Sequence, residues 1–329
     1  MRILFLNKRE VERLLDMREV MDVVEKAFKE KGLGLVEMPP KVYVNIREHN
    51  GDFRVMPAYL KGLNVAGVKI VSVYPDNPRS YQLPTVLALV ELLDPKTGMP
   101  MAIMDGTSIT TFRTGAAGGI AVKYLARRNS RVIAIIGAGV QGRGQLMAIN
   151  EVLRGKISEV RIYDIKREKS LKFKEEMEEK LGLNVIVAEE PKYAVRGADI
   201  IVTVTPARGP IVRNEWIEEG VHINAIGADA PGKEELDPMI LRRAKIIVDD
   251  KGQAIHSGEV NVPIRKGIIS ERDIYAELSE ILLGSKVGRI SDEEITIFDS
   301  TGLALQDICT GWLIYRKALK ANVGTWLEV

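Results

Sequence analysis

The segment Gly137-Ala138-Gly139-Val140-Gln141-Gly142 spaces three glycines so that main chain rather than side chain can meet a phosphate. It follows an apolar strand-like run, Val132 to Ile136, and opens a stretch with Leu146, Ile149 and Leu153 on one helical face. In that setting Gly137 permits a tight turn, Gly139 lets backbone approach a pyrophosphate, and Gly142 lets helix pack close on strand. The amides of the helix start and the helix dipole then favour the anion. Glycines at this spacing also occur in turns that bind nothing. Here, however, a second strand-like run, Glu159 to Tyr163, ends in Asp164, roughly 20 residues on, where an acid is expected to take ribose hydroxyls. Strand, glycines, helix and acid in this order point to a dinucleotide site. Asp164 favours NAD by repelling a 2′-phosphate, while Lys166 and Arg167 leave NADP possible.

Hydride chemistry asks of a protein an acid/base group and a substrate clamp. Lys69 lies in Ala66-Gly67-Val68-Lys69-Ile70-Val71-Ser72-Val73, a strand otherwise apolar on both faces. Burial there would lower its pKa into a useful range, whereas an edge lysine would simply reach water. Asp229 follows the apolar run His222 to Ile226, and ligands of open α/β sheets bind beyond strand carboxyl ends. With a helix expected near Glu234, Asp229 also reads as a cap or turn residue. Arg113 stands just before the small-residue run Thr114 to Gly119, where guanidinium and helix-start amides can share an anion, or where an arginine is only a surface charge. Ser300-Thr301-Gly302 reads as the N-terminus of a last helix. His49, His222 and His256 fall in a turn, a strand and a loop, so they read as structural, and no metal or Ser/His/Asp arrangement is visible. The single cysteine, Cys309, excludes an intrachain disulfide framework and reads as buried packing.

These residues need elements to hold them. Residues 10 to 31 are predicted helical, with Val20, Val23, Val24 and Phe28 on one face and Asp16 as a cap. After Met38-Pro39-Pro40, the runs Lys41 to Ile46 and Phe53 to Met56 flank Asn50-Gly51 and predict a hairpin. Val65 to Tyr74, Thr85 to Leu93 and Met99 to Met104 continue a mostly antiparallel, α+β first third. A helix is expected to open at Thr114. Strands then alternate with helices at 131–136, 159–164, 184–188, 199–204, 222–226 and 245–249, the pattern of a doubly wound parallel sheet. A strand from Ile295 to Phe298 precedes a helix from about Thr301 to Lys320.

The chain has 329 residues, 46% apolar and 28% charged, with a formal net charge of +2. That is the composition of a soluble globular protein, with no charge surplus for nucleic acid or a membrane surface. No apolar run reaches the roughly 18 residues needed to cross a bilayer. The start MRILFLNKREVERLL lacks a signal-peptide pattern, so a cytoplasmic protein is expected.

Taken together, MPPKVYV (38–44), VMPAYL (55–60), GVKIVSVYPDNP (67–78), LPTVLALVELLDPKTGMPMAIMDG (83–106), TFRTGAAGGIAVKYLARRNS (111–130), IGAGVQG, HINAIGADAPGKEELD (222–237) and SDEEITIFDSTGLALQD (291–307) resemble the ornithine cyclodeaminase/μ-crystallin family, particularly its archaeal alanine dehydrogenase branch. The resemblance implies an α/β protein in which a Rossmann NAD(P)-binding domain (119–302) is inserted in an α+β substrate and dimerisation domain (1–118 plus 303–329), forming a homodimer. It implies that Lys69 and Asp229 are catalytic, that Arg113 contacts substrate carboxylate or cofactor phosphate, and that Lys41 is a second basic clamp. Thr85, Thr114, Val140, Gln141, Asp164, Thr205, Lys233 and Ser300 fall on its cofactor-contact positions, with Gly137, Gly139 and Gly142 in the glycine turn. Arg54 stands near a glutamate that cyclodeaminases use to receive the amino end of ornithine, which counts against that substrate. The expected reaction is therefore reversible reductive amination of pyruvate to L-alanine. Reduction of a cyclic imine such as Δ1-pyrroline-2-carboxylate is the alternative, with ornithine cyclodeamination or a non-catalytic binding role further behind.

Overall fold

The computed structural model describes residues 2–328 and divides the chain into two units, Met1–Arg113 with Leu303–Val329, and Thr114–Gly302. Among the described residues the first unit holds an eight-stranded sheet. Its long central strands, Gly51–Leu60, Val65–Val73 and Val86–Leu93, run antiparallel in unbroken register. Side chains alternate between the faces of such a strand. One face therefore gathers the buried Met56, Ala58, Leu60, Val65, Val71, Ala88, Val90 and Leu92. The helix Ala304–Ala321 lies over these strands and packs on Met17–Gly32. The hairpin expected at Asn50-Gly51 pairs Val42–Ile46 with Gly51–Leu60, and Asn50 takes the left-handed conformation that the turn needs.

Two local expectations are corrected, and one strand is added. The helix expected at 10–31 is two helices, Lys8–Leu14 and Met17–Gly32. Asp16 separates them, because its extended backbone and its carboxylate on the Glu19 amide start a new helix. The helix expected to open at Thr114 instead starts at Gly106, where the Asp105 carboxylate takes the Thr107 and Ser108 amides. The strand Arg2–Leu6, absent from the sequence reading, pairs in parallel with Pro100–Asp105 and antiparallel with Thr325–Glu328.

The second unit holds a parallel sheet ordered Val185–Val187, Glu159–Tyr163, Val132–Ile136, Ile200–Thr203, His222–Ala225, Thr296–Asp299, Lys245–Val248 and Ile274–Glu277. Both faces are covered. Ile133, Ile135, Val160, Ile162, Ile200 and Val202 belong to one apolar core, whereas Ala134, Ile136, Ile201, Ile223 and Ala225 belong to another. Burial on both sides explains why these strands read as continuous apolar runs. From Val132–Ile136 the chain winds outward in one direction and then returns to Ile200–Thr203 on the other side. That reversal opens a crevice at the strands' carboxyl ends.

Candidate functional site

In the first unit the register sets Lys69 between Met56 and Val90, in mid-sheet and on the covered face. Its side chain is 1% exposed, and its Nζ lies 2.8 Å from Asp307 Oδ2 and 3.5 Å from Thr110 Oγ1. Asp307, buried in the first turn of the helix Ala304–Ala321, accepts the Arg113 Nε on its other oxygen at 2.9 Å. Arg113 Nη1 donates to Gln306 Oε1 at 2.7 Å, so these bonds leave Nη2 for a ligand. Burial, reinforced by the Arg113 charge, lowers the Lys69 pKa to about 7. Asp307 opposes that fall, and Lys41 adds to it. Lys69 therefore exchanges its proton near neutrality, as a general acid/base must. Arg113 and Lys41 thus both act on Lys69 as cations, against the Asp307 carboxylate.

Arg113 lies two turns inside the helix Gly106–Leu125, so the expectation that it precedes a helix start is corrected. The Thr- and Ile-containing stretch before it is a weak helix former, which hid those turns from the sequence. Its partners are side chains, not helix-start amides. Arg54 is buried on the same sheet face as Lys69, donates Nε to Asp52 Oδ1 at 2.7 Å and lies over the Tyr43 ring. Lys41 is half-buried just before Val42–Ile46. Thr85 is half-buried ahead of Val86–Leu93, and its carbonyl accepts the Tyr74 amide.

In the second unit Gly137 has φ +112°, and its amide donates to Tyr163 O at 2.8 Å. A Cβ on Gly142 would come within 2.5 Å of Gly137 O, so helix and turn touch as only glycine allows. A Cβ on Gly139 would meet nothing within 4 Å, leaving open room at the N-terminus of the helix Val140–Leu153. Asp164 accepts the Ala138 amide on Oδ2 and the Lys166 amide on Oδ1, both at 2.9 Å. A cavity of about 430 Å³ lies here, lined by Gly137, Gly139, Asp164, Ile165 and Thr205 among others. Ile165 is 88% exposed and Val140 also stands in solvent, while Gln141 Oε1 is buried without a partner among the described residues. Open room at the helix start, a fixed acid and an apolar wall fit the pyrophosphate and adenosine of a dinucleotide. Lys166 and Lys169 line the cavity, whereas Arg167, expected beside it, does not.

Asp229 pairs with Lys233 at 2.5 Å, bringing together two residues singled out in the sequence. The helix expected near Glu234 is a strand, Glu234–Leu236, so Asp229 is no cap. Thr205 accepts the Ala207 amide on its hydroxyl, and the Thr114 carbonyl accepts Gln145 Nε2 at 2.8 Å. Ser300 is not the cap of the last helix either, because that helix begins at Ala304 with Leu303 at its N-cap. Its hydroxyl goes to Asp249 Oδ2 at 3.0 Å, and the same carboxylate takes the Thr301 and Gly302 amides. His222 bonds Thr296 and Asn224, and burial lowers its pKa to about 3, the environment of a neutral structural ring. Burial pushes the Cys309 thiol well up, away from nucleophilic use.

Sequence reasoning missed Asp307, Gln306 and Asp52. The signal for the first two was polar side chains amid Leu305, Ile308 and Cys309, a helix stretch otherwise fit for burial.

The chain matches the sequence model of the ornithine cyclodeaminase/mu-crystallin family over residues 1–322. It is 50% identical over 328 residues to alanine dehydrogenase of Archaeoglobus fulgidus, covering 100% of this chain and 99% of that one. Among solved structures, an archaeal alanine dehydrogenase dimer with bound NAD superposes with a TM-score of 0.94 at 50% identity, covering 100% and 99% of the two chains. The Δ(1)-pyrroline-2-carboxylate reductase of Thermococcus litoralis, in complex with NADH and L-proline, superposes with a TM-score of 0.96 at 43% identity, covering 99% and 100%. With its glycine turn, its acid at Asp164 and its buried lysine all carried on a fold shared end to end with these proteins, the chain belongs to the ornithine cyclodeaminase/mu-crystallin family.

Proposed function

We propose that the protein is an NAD-dependent oxidoreductase acting on the C–N bond of a small 2-amino acid, interconverting L-alanine with pyruvate and ammonia. The observation that carries this reading is Lys69, an amine with a pKa of about 7, held by Asp307 beside Arg113. Half-length or fold likeness alone would not carry it, but the 50% identity to an alanine dehydrogenase extends over the whole chain. In the reductive direction pyruvate, ammonium, NADH and a proton give L-alanine, NAD and water. The coenzyme, when bound, would supply hydride to the 2-carbon as NADH and take it back as NAD. Gly137, Gly139, Val140, Gln141, Gly142 and Asp164 would hold the coenzyme, with Thr114, Thr205, Lys233 and Ser300 of the same unit as further contacts. Arg113 Nη2 and Lys41 bind the substrate carboxylate. Lys69 gives the proton to the 2-nitrogen or takes it back, and Asp229 shares the acid/base work. In this reading the first unit serves substrate and subunit pairing, and the second serves the dinucleotide. Lys166 and Lys169 beside Asp164 leave room for NADP as an alternative coenzyme.

Reduction of Δ1-pyrroline-2-carboxylate to proline is the second reading, favoured by the likeness to the reductase with bound L-proline. Ornithine cyclodeamination is disfavoured, because the sequence carries Arg54 near the position where cyclodeaminases have a glutamate to receive the amino end of ornithine. An NADH-oxidation screen decides among them. Turnover with pyruvate and ammonia well above that with Δ1-pyrroline-2-carboxylate supports the first reading, and the opposite ratio supports the second. NADH consumed with neither, but ammonia released from ornithine without net NADH change, would overturn both.

The partner is a second copy of the chain. The open face of the first unit's sheet carries Val42, Val55, Ile70 and Leu89 directly opposite one another on four successive strands. Val42, Ile70 and Leu89 are 57%, 49% and 54% exposed. Such a contiguous apolar row is costly in water and marks an interface, and the alanine dehydrogenase relative is a dimer.

A further inference from the structure

Two loops of the second unit carry residues assigned above to the reaction: the one holding Thr205, after Ile200–Thr203, and Gly227-Ala228-Asp229, after His222–Ala225. One buried side chain holds both. Glu235, on the strand Glu234–Leu236, accepts the Thr205 amide on Oε1 at 2.6 Å and the Gly227 amide on Oε2 at 2.9 Å. The seat is tight, because a Cβ on Gly227 would clash with Glu235 Oε2 and with the Thr205 carbonyl. Behind it, the equally buried Glu259 side chain accepts the amides of Glu235 at 2.8 Å and Leu236 at 2.7 Å, so the strand presenting Glu235 is itself held from within.

We propose that Glu235 is a positioning residue for this enzyme: its ionised carboxylate ties the Thr205 loop to the Asp229 loop, and protonation unties them. The proposal rests on the functional reading above. The chemistry follows from counting acceptors. A carboxylate offers an acceptor on each oxygen, whereas a carboxylic acid puts an O–H on one of them, which then faces an amide N–H with a donor. The groups acting on Glu235 are the Thr205 and Gly227 amides and the Thr203 and Thr205 side chains, and no cation is among them. Glu259 is the acid behind it, and Asp299, which accepts the Val260 amide, bears in turn on Glu259. Burial accordingly raises the Glu235 pKa to about 7, and burial together with the Glu235 charge raises that of Glu259 well above the usual range. The tie is therefore made above neutrality and lost below it.

Amide hydrogen exchange on the protein without coenzyme tests this, from about pH 5.5 to about pH 9 and corrected for intrinsic exchange, with Ile133 to Ile135 as reference. In the wild type, protection at Thr205 relative to the reference should rise through about pH 7, on the order of tenfold for one amide regaining its acceptor, with a smaller rise at Gly227, whose amide also donates to the Thr203 carbonyl at 3.1 Å. Glu235→Gln, with one acceptor and one donor, should lack that rise, bind NADH less tightly and turn over more slowly at every pH. Flat wild-type protection across the range, or the wild-type rise persisting in Glu235→Gln, overturns the proposal. If the variant does not fold, the wild-type series alone decides. Failure of the wild type to bind NADH is a separate result, which overturns the functional reading on which the proposal stands.

Discussion

Asp307 Oδ2 lies 2.8 Å from Lys69 Nζ, with both side chains out of solvent. The other oxygen of the same carboxylate binds Arg113 Nε, so one acid fixes the distance between an amine that can lose its proton and a guanidinium that cannot. Asp307→Asn keeps the shape and removes the charge, leaving the buried Arg113 guanidinium without its counter-ion and favouring the neutral form of Lys69. Breaking one side of a buried pair costs about 3–5 kcal/mol. Asp307→Asn should therefore lower both turnover and the urea midpoint. Lys69→Ala should lower turnover about a hundredfold or more, the scale of a lost general acid/base, with NADH affinity nearly unchanged. Wild-type turnover in Lys69→Ala would remove the lysine from the mechanism.

The pH dependence has a sign that identifies its source. With a folded pKa of about 7 against an ordinary 10.5, Lys69 is mostly neutral above neutrality. Reduction consumes a proton and should fall as pH rises through about 7, while L-alanine oxidation, needing the free amine, should rise over the same range. Glu235 also titrates near 7, but loosening the two loops slows both directions at low pH, so the two effects separate when forward and reverse kcat/KM are profiled together. Because Asp307 is what raises the Lys69 pKa, Asp307→Asn should move the Lys69 limb to lower pH. A limb that stays in place would assign it to another group. The unfolded chain binds the Lys69 proton more tightly than the folded one, so this lysine makes stability increase with pH from about 7 towards 10.

The glycine turn and its neighbouring acid were legible because their determinants are local. Gly137, Gly139 and Gly142 lie within one turn and helix start, and Asp164 ends the next strand over. The parallel strands showed themselves as apolar runs because both sheet faces are covered. What stayed hidden was non-local. Asp307 meets Lys69 only because the last long helix returns across the first sheet, and no spacing in the chain announces that return. The strand Arg2–Leu6 is fixed by a parallel partner, Pro100–Asp105, far along the sequence. Arg113 reads from the sequence as standing before a helix start, but its helix begins two turns earlier, because Asp105 capping the Thr107 and Ser108 amides outweighs the poor helix propensity of the residues between.

Asp164 should govern coenzyme choice. Both of its oxygens accept backbone amides, from Ala138 and Lys166, so the carboxylate cannot swing away from a 2′-phosphate. Asp164→Ala removes the repulsion and leaves Lys166 and Lys169 lining the cavity. The ratio of NADH to NADPH kcat/KM should fall by roughly tenfold or more, the effect of about 1.4 kcal/mol. An unchanged ratio would place the ribose contact elsewhere.

The apolar row on the open sheet face predicts the assembly. Ile70 pairs in register with Val55 on one side and Leu89 on the other, so it lies at the middle of the row. A charge placed there points away from Lys69, which occupies the opposite face one residue earlier. Ile70→Asp should therefore leave the secondary structure intact and set two carboxylates against apolar surface whenever two copies meet. Burying an unpaired carboxylate costs several kcal/mol, more than such an interface can absorb without dissociating. Sedimentation velocity should show a dimer for the wild type and a monomer for Ile70→Asp. The variant's circular dichroism should be unchanged, because Ile70 is half exposed and contributes little to the core of its own chain. A wild type that sediments as a monomer at high concentration, or a variant that remains dimeric, would move the interface off this face.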